Sequence, residues 1–263
     1  HLIDRNGNNV DGFPKKLPYH TTIGHSLFDY NNSKKYRIII IGSNNMMYNL
    51  DSKGKQVKGW KYKKKQNRIV AKAQHFKVNR KDYILQETKN SSSKLLAING
   101  TQRVAYKTET TFNGSPLQID QQGTLYGITF DGKLWRGTID GNATELTITE
   151  LDKQSLFAIN NDDGNGERQF IITTDKSVFI TNEAFEVMYS FKVEDRIRQL
   201  LTIKGYIVLT TENQLYLSKN GKIIEGFPIY TDGFFNISDI DNNGKINIIN
   251  SKHGSLYNYE LAN

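Results

Sequence analysis

One short stretch of the chain has oxygen-bearing side chains at the spacing that calcium prefers. Asp239, Asp241 and Asn243 stand at positions one, three and five, Gly244 at position six permits a sharp bend, and Asn247 stands at position nine. This pattern predicts a calcium site formed by Asp239, Asp241, Asn243 and Asn247. The ligand charge is low, because position nine is an asparagine and no glutamate stands at position twelve. The alternative is a tight hairpin turn whose Asp and Asn side chains accept hydrogen bonds from their own backbone.

Two weaker versions of this pattern occur, in residues 161–169 and 29–33. Both fall at the same place in the repeated unit described below. That recurrence favours an inherited turn over separate metal sites.

The positive charge of the chain is concentrated in one segment. The formal net charge is +8, and every charged residue between Asp51 and Asp82 is a lysine or an arginine. The basic character is therefore a local patch and not a property of the whole chain.

Aromatic residues are interleaved with lysines in this segment. Trp60, Tyr62, Lys63, Lys64 and Lys65, here called the basic flank, form a candidate binding surface. Lysines would neutralise phosphates while the aromatic rings stack on bases or sugars. The alternative is an outer strand of a sheet, whose lysines prevent edge-to-edge pairing. The alternation of aromatic and basic residues favours the outer strand.

No stretch of the chain is a catalytic signature. There is no cysteine, which excludes disulfides, thiolate zinc sites and thiol nucleophiles. The five histidines lack metal-ligand spacing, and no Gly-x-Ser-x-Gly motif is present. If the protein were an enzyme, His20, His25 and His75 would be the candidate groups. The sequence favours a protein that is not an enzyme.

The elements that must position these residues come from an internal repeat. The second half of residues 210–230 recurs in residues 1–14, where an Asn-Gly pair is followed at the same spacing by Gly-Phe-Pro. The Asn-Gly pair predicts a tight hairpin, and one whole unit reads as four successive strands.

Six copies of the unit follow one another. Each opens with a short apolar strand, and the step between copies is about 42 residues, as in propeller repeats. The sequence predicts a single all-β domain, a six-bladed β-propeller of four-stranded blades. The blades cover residues 19–65, 66–113, 114–150, 151–192, 193–230, and 231–263 together with 1–18. Residues 9–14 are expected to pair with the C-terminal strands and so close the last blade.

The repeat motifs resemble those of a known group. Gly254-Ser255-Leu256-Tyr257, Asn220-Gly221-Lys222 and the Gly-Phe-Pro segments resemble the PQQ-like and FG-GAP-like repeat propellers of bacterial envelope proteins. FG-GAP-type repeats carry a calcium loop like the one at Asp239. Residues 75–83 also look like part of the C-terminal propeller of larger envelope proteins of unknown function. A chain that starts within a repeat motif agrees with a piece of a longer protein.

This resemblance implies a location in the periplasm or cell envelope. PQQ-using dehydrogenases carry a tryptophan motif in each blade, and the two tryptophans of this chain, Trp60 and Trp135, argue against bound PQQ. Calcium is the one cofactor that the sequence suggests. No apolar run is long enough for a membrane span.

The function expected is that of a non-catalytic interaction or scaffold propeller in a larger envelope protein or complex. A protein partner is favoured over an anionic surface, and an anionic surface over nucleic acid. Two alternatives stay open. One is a glycan hydrolase or lyase with its site at the channel mouth, and the other is a binder of nucleic acid or anionic lipid through the basic segment.

Overall fold

The computed structural model describes residues 1–4, 6–63, 67–89, 93–106, 109–160, 168–241 and 243–261, with Thr22 described by its backbone alone. Within these residues every regular element is a β-strand. The chain divides into two compact units. The first unit contains His1–Phe112, Gln121–Leu125 and Arg136–Thr144, and the second contains Asn113–Asp120, Tyr126–Trp135 and Glu145–Asn263.

The strands form six sheets. Sheet 1 has the order β1-β2-β3, with strands Thr21–Phe28, Arg37–Gly42 and Met47–Asp51. Sheet 2 has the order β4-β5-β6-β7, with strands Gln74–Val78, Lys81–Gln86, Lys94–Leu96 and Gln102–Ala105. Sheet 3 has the order β11-β10-β9-β8, and β8 to β11 are Gln118–Ile119, Leu125–Ile128, Leu134–Gly137 and Ala143–Leu146.

The three remaining sheets belong to the second unit. Sheet 4 has the order β12-β13-β14-β15, with strands Leu156–Asn160, Gln169–Thr173, Ser177–Thr181 and Val187–Lys192. Sheet 5 contains β16 to β20, namely Gln199–Ile203, Tyr206–Thr210, Gln214–Lys219, Lys222–Ile223 and Ile229–Tyr230. Sheet 6 has the order β21-β22-β23, with strands Phe235–Ser238, Asn247–Lys252 and Ser255–Glu260.

The predicted all-β class and the six repeated sheets are confirmed. The sequence predicts strands over residues 37–42, 206–210 and 255–260, and β2, β17 and β23 have these bounds. At the predicted Asn-Gly hairpin both Asn220 and Gly221 have a positive φ, 50° and 74°, which is the backbone of a two-residue primed turn.

Within each unit the core lies between successive sheets. In the second unit, Ile171 and Ile180 of sheet 4 pack in one cluster with Ile207 and Leu209 of sheet 5. The middle strands are therefore buried on both faces, and β13 is buried at every position. This explains why their sequences are continuous apolar runs and do not alternate. In the first unit, Ile39 and Met47 of sheet 1 pack with Ile84 and Leu96 of sheet 2.

The N-terminal segment differs from the expectation. Residues 9–14 are predicted to pair with the last sheet, but Asn9 forms a bridge with Ile3, and the Val10 amide donates to the Leu2 carbonyl at 3.0 Å. The Asn-Gly turn brings residues 2–3 next to residues 9–10, so residues 9–14 have a partner nearby in the chain. Closing a short loop costs less entropy than closing a long one. Sheet 6 holds three strands among the residues described.

The outer strand suggested for the basic segment is also absent from the described residues. Sheet 1 has three strands, and an isolated bridge between Leu50 and Gln56 is the pairing that follows β3. The Asp51 carboxylate accepts hydrogen bonds from the amides of Lys53 and Lys55, both at 2.9 Å. This Asp-capped turn reverses the chain. After it, the Asp51 amide donates to the Lys55 carbonyl and the Val57 amide to the Asn49 carbonyl, at 2.9 and 2.8 Å, and the pairing with β3 goes no further among the described residues.

Candidate functional site

The aromatic residues of the basic flank are part of the first unit's core. Tyr62 is 8% exposed, and its hydroxyl accepts a hydrogen bond from Gln86 Nε2 at 3.1 Å and donates to the Asn45 carbonyl at 3.4 Å. Burial raises the pKa of Tyr62, against the lowering effect of the bond from Gln86. The ring of Tyr62 is thus not an exposed stacking surface.

Trp60 lies beside Tyr62 and is half-buried. Its Nε1 donates to the Met47 carbonyl at 2.8 Å, and the two rings stack with centroids 6.3 Å apart. Lys63 is exposed, whereas Lys64 and Lys65 lie outside the described residues. A binding role for the basic flank stays a prediction.

A cavity of about 270 Å³ opens next to Trp60 in the first unit. It lies between the turn after β1, the middle of β3, the start of β5 and the turn after β6. The residues that line it are Tyr30, Asn31, Arg37, Asn49, Val57, Lys58, Gly59, Trp60, Asp82, Ile98 and Asn99.

Two buried polar side chains in this cavity have no hydrogen-bond partner in the described part of the chain. Asn49 is 1% exposed, and both its amide nitrogen and its amide oxygen are unpaired. The hydroxyl of Tyr30 is likewise buried and unpaired. A buried polar group without a partner costs roughly 1–3 kcal/mol. Such groups are rare in folded proteins and call for an explanation.

The charged residues of the cavity are arranged around Tyr30. Asp82 Oδ1 lies 3.0 Å from His75 Nε2 and 3.7 Å from Lys77 Nζ, and the His75 ring packs edge-on against the Tyr30 ring at 4.7 Å. In the described ranges Arg37 forms no ion pair; its Nη1 donates to the carbonyls of Lys35 and Tyr36, at 3.2 and 3.1 Å.

The Tyr30 phenol stays neutral at physiological pH. Burial raises its pKa to about 12, and of its two charged neighbours Arg37 opposes the rise and Asp82 adds to it. Because the phenol keeps its proton, Tyr30 can donate a hydrogen bond. The residues that line the cavity therefore include donors in Tyr30, Arg37 and Asn49, and acceptors in Asn49 and Asp82.

The three histidines suggested for catalysis have different surroundings. His75 is bonded to Asp82 beside the cavity, whereas His20 and His25 are exposed. A catalytic role for His20, His25 and His75 stays a prediction.

The predicted calcium ligands form a turn held by its own hydrogen bonds. Asp239 accepts from the amides of Asn243 and Gly244 at 3.1 and 2.8 Å, and Asp241 accepts from the Asn243 amide at 3.3 Å. Asn247 Oδ1 accepts from the Ile240 amide at 3.2 Å. These contacts are those of the alternative interpretation, a hairpin with Asx turns.

The two weaker copies add nothing that favours calcium. Asp29 accepts from the amides of Ser33 and Lys34, at 3.0 and 2.7 Å, in another Asx turn. Residues 161–167 lie outside the described part of the chain. Among the described residues, no three His, Asp or Glu side chains are grouped closely enough to hold a metal ion. Calcium binding stays a prediction from spacing alone.

The outer edge of sheet 4 carries an exposed apolar patch. Val187, Met188 and Tyr189, here called the β15 patch, are consecutive and are 45%, 41% and 45% exposed. β15 ends the sheet, and no strand of the described residues pairs with its outer side. Val187 and Tyr189 pair with Thr181 and Ile180, which leaves Met188 as an extra residue in a bulge.

Sequence reasoning missed both the cavity and the β15 patch as sites. For the cavity, the available signal was an asparagine inside the apolar strand β3. For the β15 patch, it was an outer strand with three apolar residues in succession and one charge, at Lys192. The sequence predicts the strand itself over residues 186–191, and β15 spans Val187–Lys192.

The class of protein follows from the sheets and from solved structures of similar fold. The chain has the fold of a six-bladed β-propeller. It is similar to BBS1N, crystallised in complex with ARL6DN, with a TM-score of 0.65 and 9% identity over 95% of this chain and 79% of that chain. It is also similar to Sqt1 from Saccharomyces cerevisiae, with a TM-score of 0.55 and 14% identity over 87% of this chain and 66% of that chain.

A third similar structure is BamB from Moraxella catarrhalis, with a TM-score of 0.51 and 16% identity over 81% of this chain and 66% of that chain. Identities this low establish the fold alone. No family model matches the sequence, and no curated protein matches it. The described residues contain no helix that is long and apolar enough to cross a membrane.

Proposed function

We propose that this chain is a non-catalytic interaction propeller whose β15 patch binds an extended segment of a protein partner. The single observation that carries this proposal is the combination of three exposed apolar side chains with an unpaired strand edge. Such an edge presents free backbone donors and acceptors to an incoming strand, and the apolar side chains add contact area.

The outer strands of sheets 5, 2 and 3 are better protected than β15. β19 has two residues, one of them Lys222, whereas β7 carries Arg103 and β11 carries Glu145. Short length and a charge are the usual ways in which an edge strand avoids pairing. β15 has six residues, and its one charge stands at its last position. An exposed apolar edge that lacks this protection marks an interaction surface.

Structures of similar fold support an interaction role in general terms. BBS1N is a propeller neighbour that was crystallised in a complex with another protein, ARL6DN. The position of that contact is not transferred to this chain. From this neighbour we take only that a domain of this fold can bind another protein. For that reason we favour a protein partner over nucleic acid.

The finer assignment rests on the sequence motifs. We propose that the repeats are of the PQQ-like and FG-GAP-like kind and that the chain acts in the cell envelope as part of a larger protein or complex. The motifs that support this are the Gly-x-Leu-Tyr segment at Gly254 and the two Gly-Phe-Pro segments.

Charge placed on the β15 patch tests this proposal. The tagged full-length protein is purified from its native host as the wild type and as the double variant Val187→Lys, Met188→Lys, and partners that co-purify are quantified by mass spectrometry. We expect a specific protein to be retained by the wild type and reduced more than about tenfold in the variant, since lysine at an edge opposes both pairing and apolar contact.

The matched control is Leu146→Lys, because Leu146 is an exposed apolar residue on another outer strand, β11. It should retain the partner. Circular dichroism of both variants checks that the fold is intact. Equal recovery of every partner with the wild type and the double variant would refute the β15 patch as the binding surface.

A further inference from the structure

We propose that the cavity beside Trp60 binds one acidic sugar residue, a sugar ring that carries a carboxylate. This inference is independent of the proposed function, because the cavity lies in the first unit and the β15 patch lies in the second. It starts from the buried unpaired groups of Asn49 and Tyr30, which the fold itself does not explain.

The Asn49 amide determines what kind of group can enter. Its nitrogen is a donor and its oxygen an acceptor, and both are buried and unpaired in the described part of the chain. A complementary ligand must present an acceptor and a donor side by side. Adjacent hydroxyl groups on a sugar ring do so, since each hydroxyl both donates and accepts.

The Tyr30 hydroxyl and Asp82 also call for a ligand with several hydrogen-bonding groups. Tyr30 is an unpaired donor, and Asp82 engages His75 and Lys77 through Oδ1. A glutamate or aspartate side chain from a protein would offer one carboxylate and leave the Asn49 oxygen without a donor. A ring with several hydroxyls satisfies Asn49, Tyr30 and Asp82 together.

The charge of the cavity favours an anionic sugar. Arg37 and Lys58 line it, and neither forms an ion pair with any described residue. The negative charge of Asp82 is offset by Lys77 at 3.7 Å. Between Asp51 and Asp82 the sequence has lysines and arginines and no acid. A guanidinium holds a carboxylate through two parallel hydrogen bonds, which gives Arg37 its role in the site.

The size and the apolar side of the cavity suit a single ring. A volume of about 270 Å³ corresponds to roughly nine water molecules at ~30 Å³ each. Val57, Trp60 and Ile98 line it as well, so the cavity has an apolar wall and a polar wall. A sugar ring has the same two aspects, a C–H face and a hydroxyl edge.

Isothermal titration calorimetry with three probes tests the assignment. D-glucuronic acid is the acidic sugar, D-glucose the neutral sugar of the same ring, and acetate the carboxylate without the ring. We expect glucuronate to bind with a Kd of about 1 mM and at least about tenfold more tightly than glucose or acetate. Equal binding of glucose overturns the acidic preference, equal binding of acetate overturns the sugar, and absence of glucuronate binding overturns the site.

Two variants separate a ligand-binding role from a structural one. Asn49→Leu should abolish glucuronate binding while the melting temperature stays the same or rises, because it removes an unpaired buried amide. A lower melting temperature with unchanged binding would show that the amide is structural, and would overturn the proposal. Arg37→Gln should bring glucuronate down to the affinity of glucose, whereas the exposed control Arg136→Gln should bind as the wild type does.

Discussion

Leu215 and Leu256 occupy the same register in successive sheets but differ completely in burial. Leu215 of β18 pairs with Thr210 of β17, as Leu256 of β23 pairs with Ser251 of β22. Leu215 is fully buried, whereas Leu256 is 78% exposed. The same repeat position therefore stabilises sheet 5 and contributes little packing in sheet 6.

This difference predicts unequal effects of the same substitution. Leu215→Ala should lower the free energy of unfolding by about 2–5 kcal/mol, because it leaves a cavity in the core. Leu256→Ala should change it by less than about 0.5 kcal/mol, as for other exposed positions. Urea denaturation of the two variants measures both values. Equal losses would show that Leu256 is covered in solution, contrary to its exposure in the structure.

The raised pKa of Tyr30 predicts a loss of stability at high pH. The phenol ionises near pH 10 in the unfolded chain and near 12 in the folded one, because burial favours its neutral form. Its contribution is complete below pH 10 and is lost as the pH rises through 12. Wild type should therefore lose more unfolding free energy between pH 10 and 12 than Tyr30→Phe. Parallel pH profiles of the two proteins would contradict the burial of Tyr30.

Gly221 links the hairpin of sheet 5 to the β15 patch. A Cβ atom added there would lie 2.7 Å from Tyr189 Cβ, at a φ of +74°. Gly221→Ala should destabilise the protein by more than about 1 kcal/mol, since strain and a clash add. Gly226→Ala is the matched control, because its φ is +87° and nothing lies within 4 Å of the added Cβ. Chemical denaturation measures the loss of unfolding free energy in each variant, and the difference between the two losses reports the contact with Tyr189. Equal losses would contradict a contribution from that contact.

The turn at Asp239 is expected to be stable without calcium. Both carboxylates, of Asp239 and Asp241, already accept backbone amide hydrogen bonds. A ligand that binds only the folded state raises its stability with concentration. We therefore expect the same melting temperature in chelator and in millimolar calcium. A rise of several degrees with calcium, lost in Asp239→Asn, would confirm the metal site that the spacing predicts.

Local sequence was sufficient for many of the strands. Apolar runs such as Arg37–Gly42 and Tyr206–Thr210, and the Asn220-Gly221 turn, are determined by residues next to one another, and the structure has them where the sequence predicts them. The pairing of residues 9–14 could not be predicted from local sequence. It depends on whether residues 2–3 or the C-terminal strands lie closer in the folded chain.

The candidate sites were predicted less well, for the same reason. Trp60 and Tyr62 alternate with lysines, as in an exposed strand. In the structure both rings pack at the core, where they form hydrogen bonds with Met47 and Gln86. Asn49 becomes a binding candidate only because Tyr30 and Arg37, distant in sequence, line the same cavity. Proximity in space of this kind leaves no local pattern.

In-cell photo-crosslinking at the β15 patch tests the interaction role most directly. A photoreactive amino acid is placed at Met188 of the full-length protein, with Leu146 as the control position, and the crosslinked products are identified by mass spectrometry. The interaction propeller predicts one dominant protein crosslinked from Met188 and absent from Leu146. An identical set of products from both positions, or none from Met188, would contradict it.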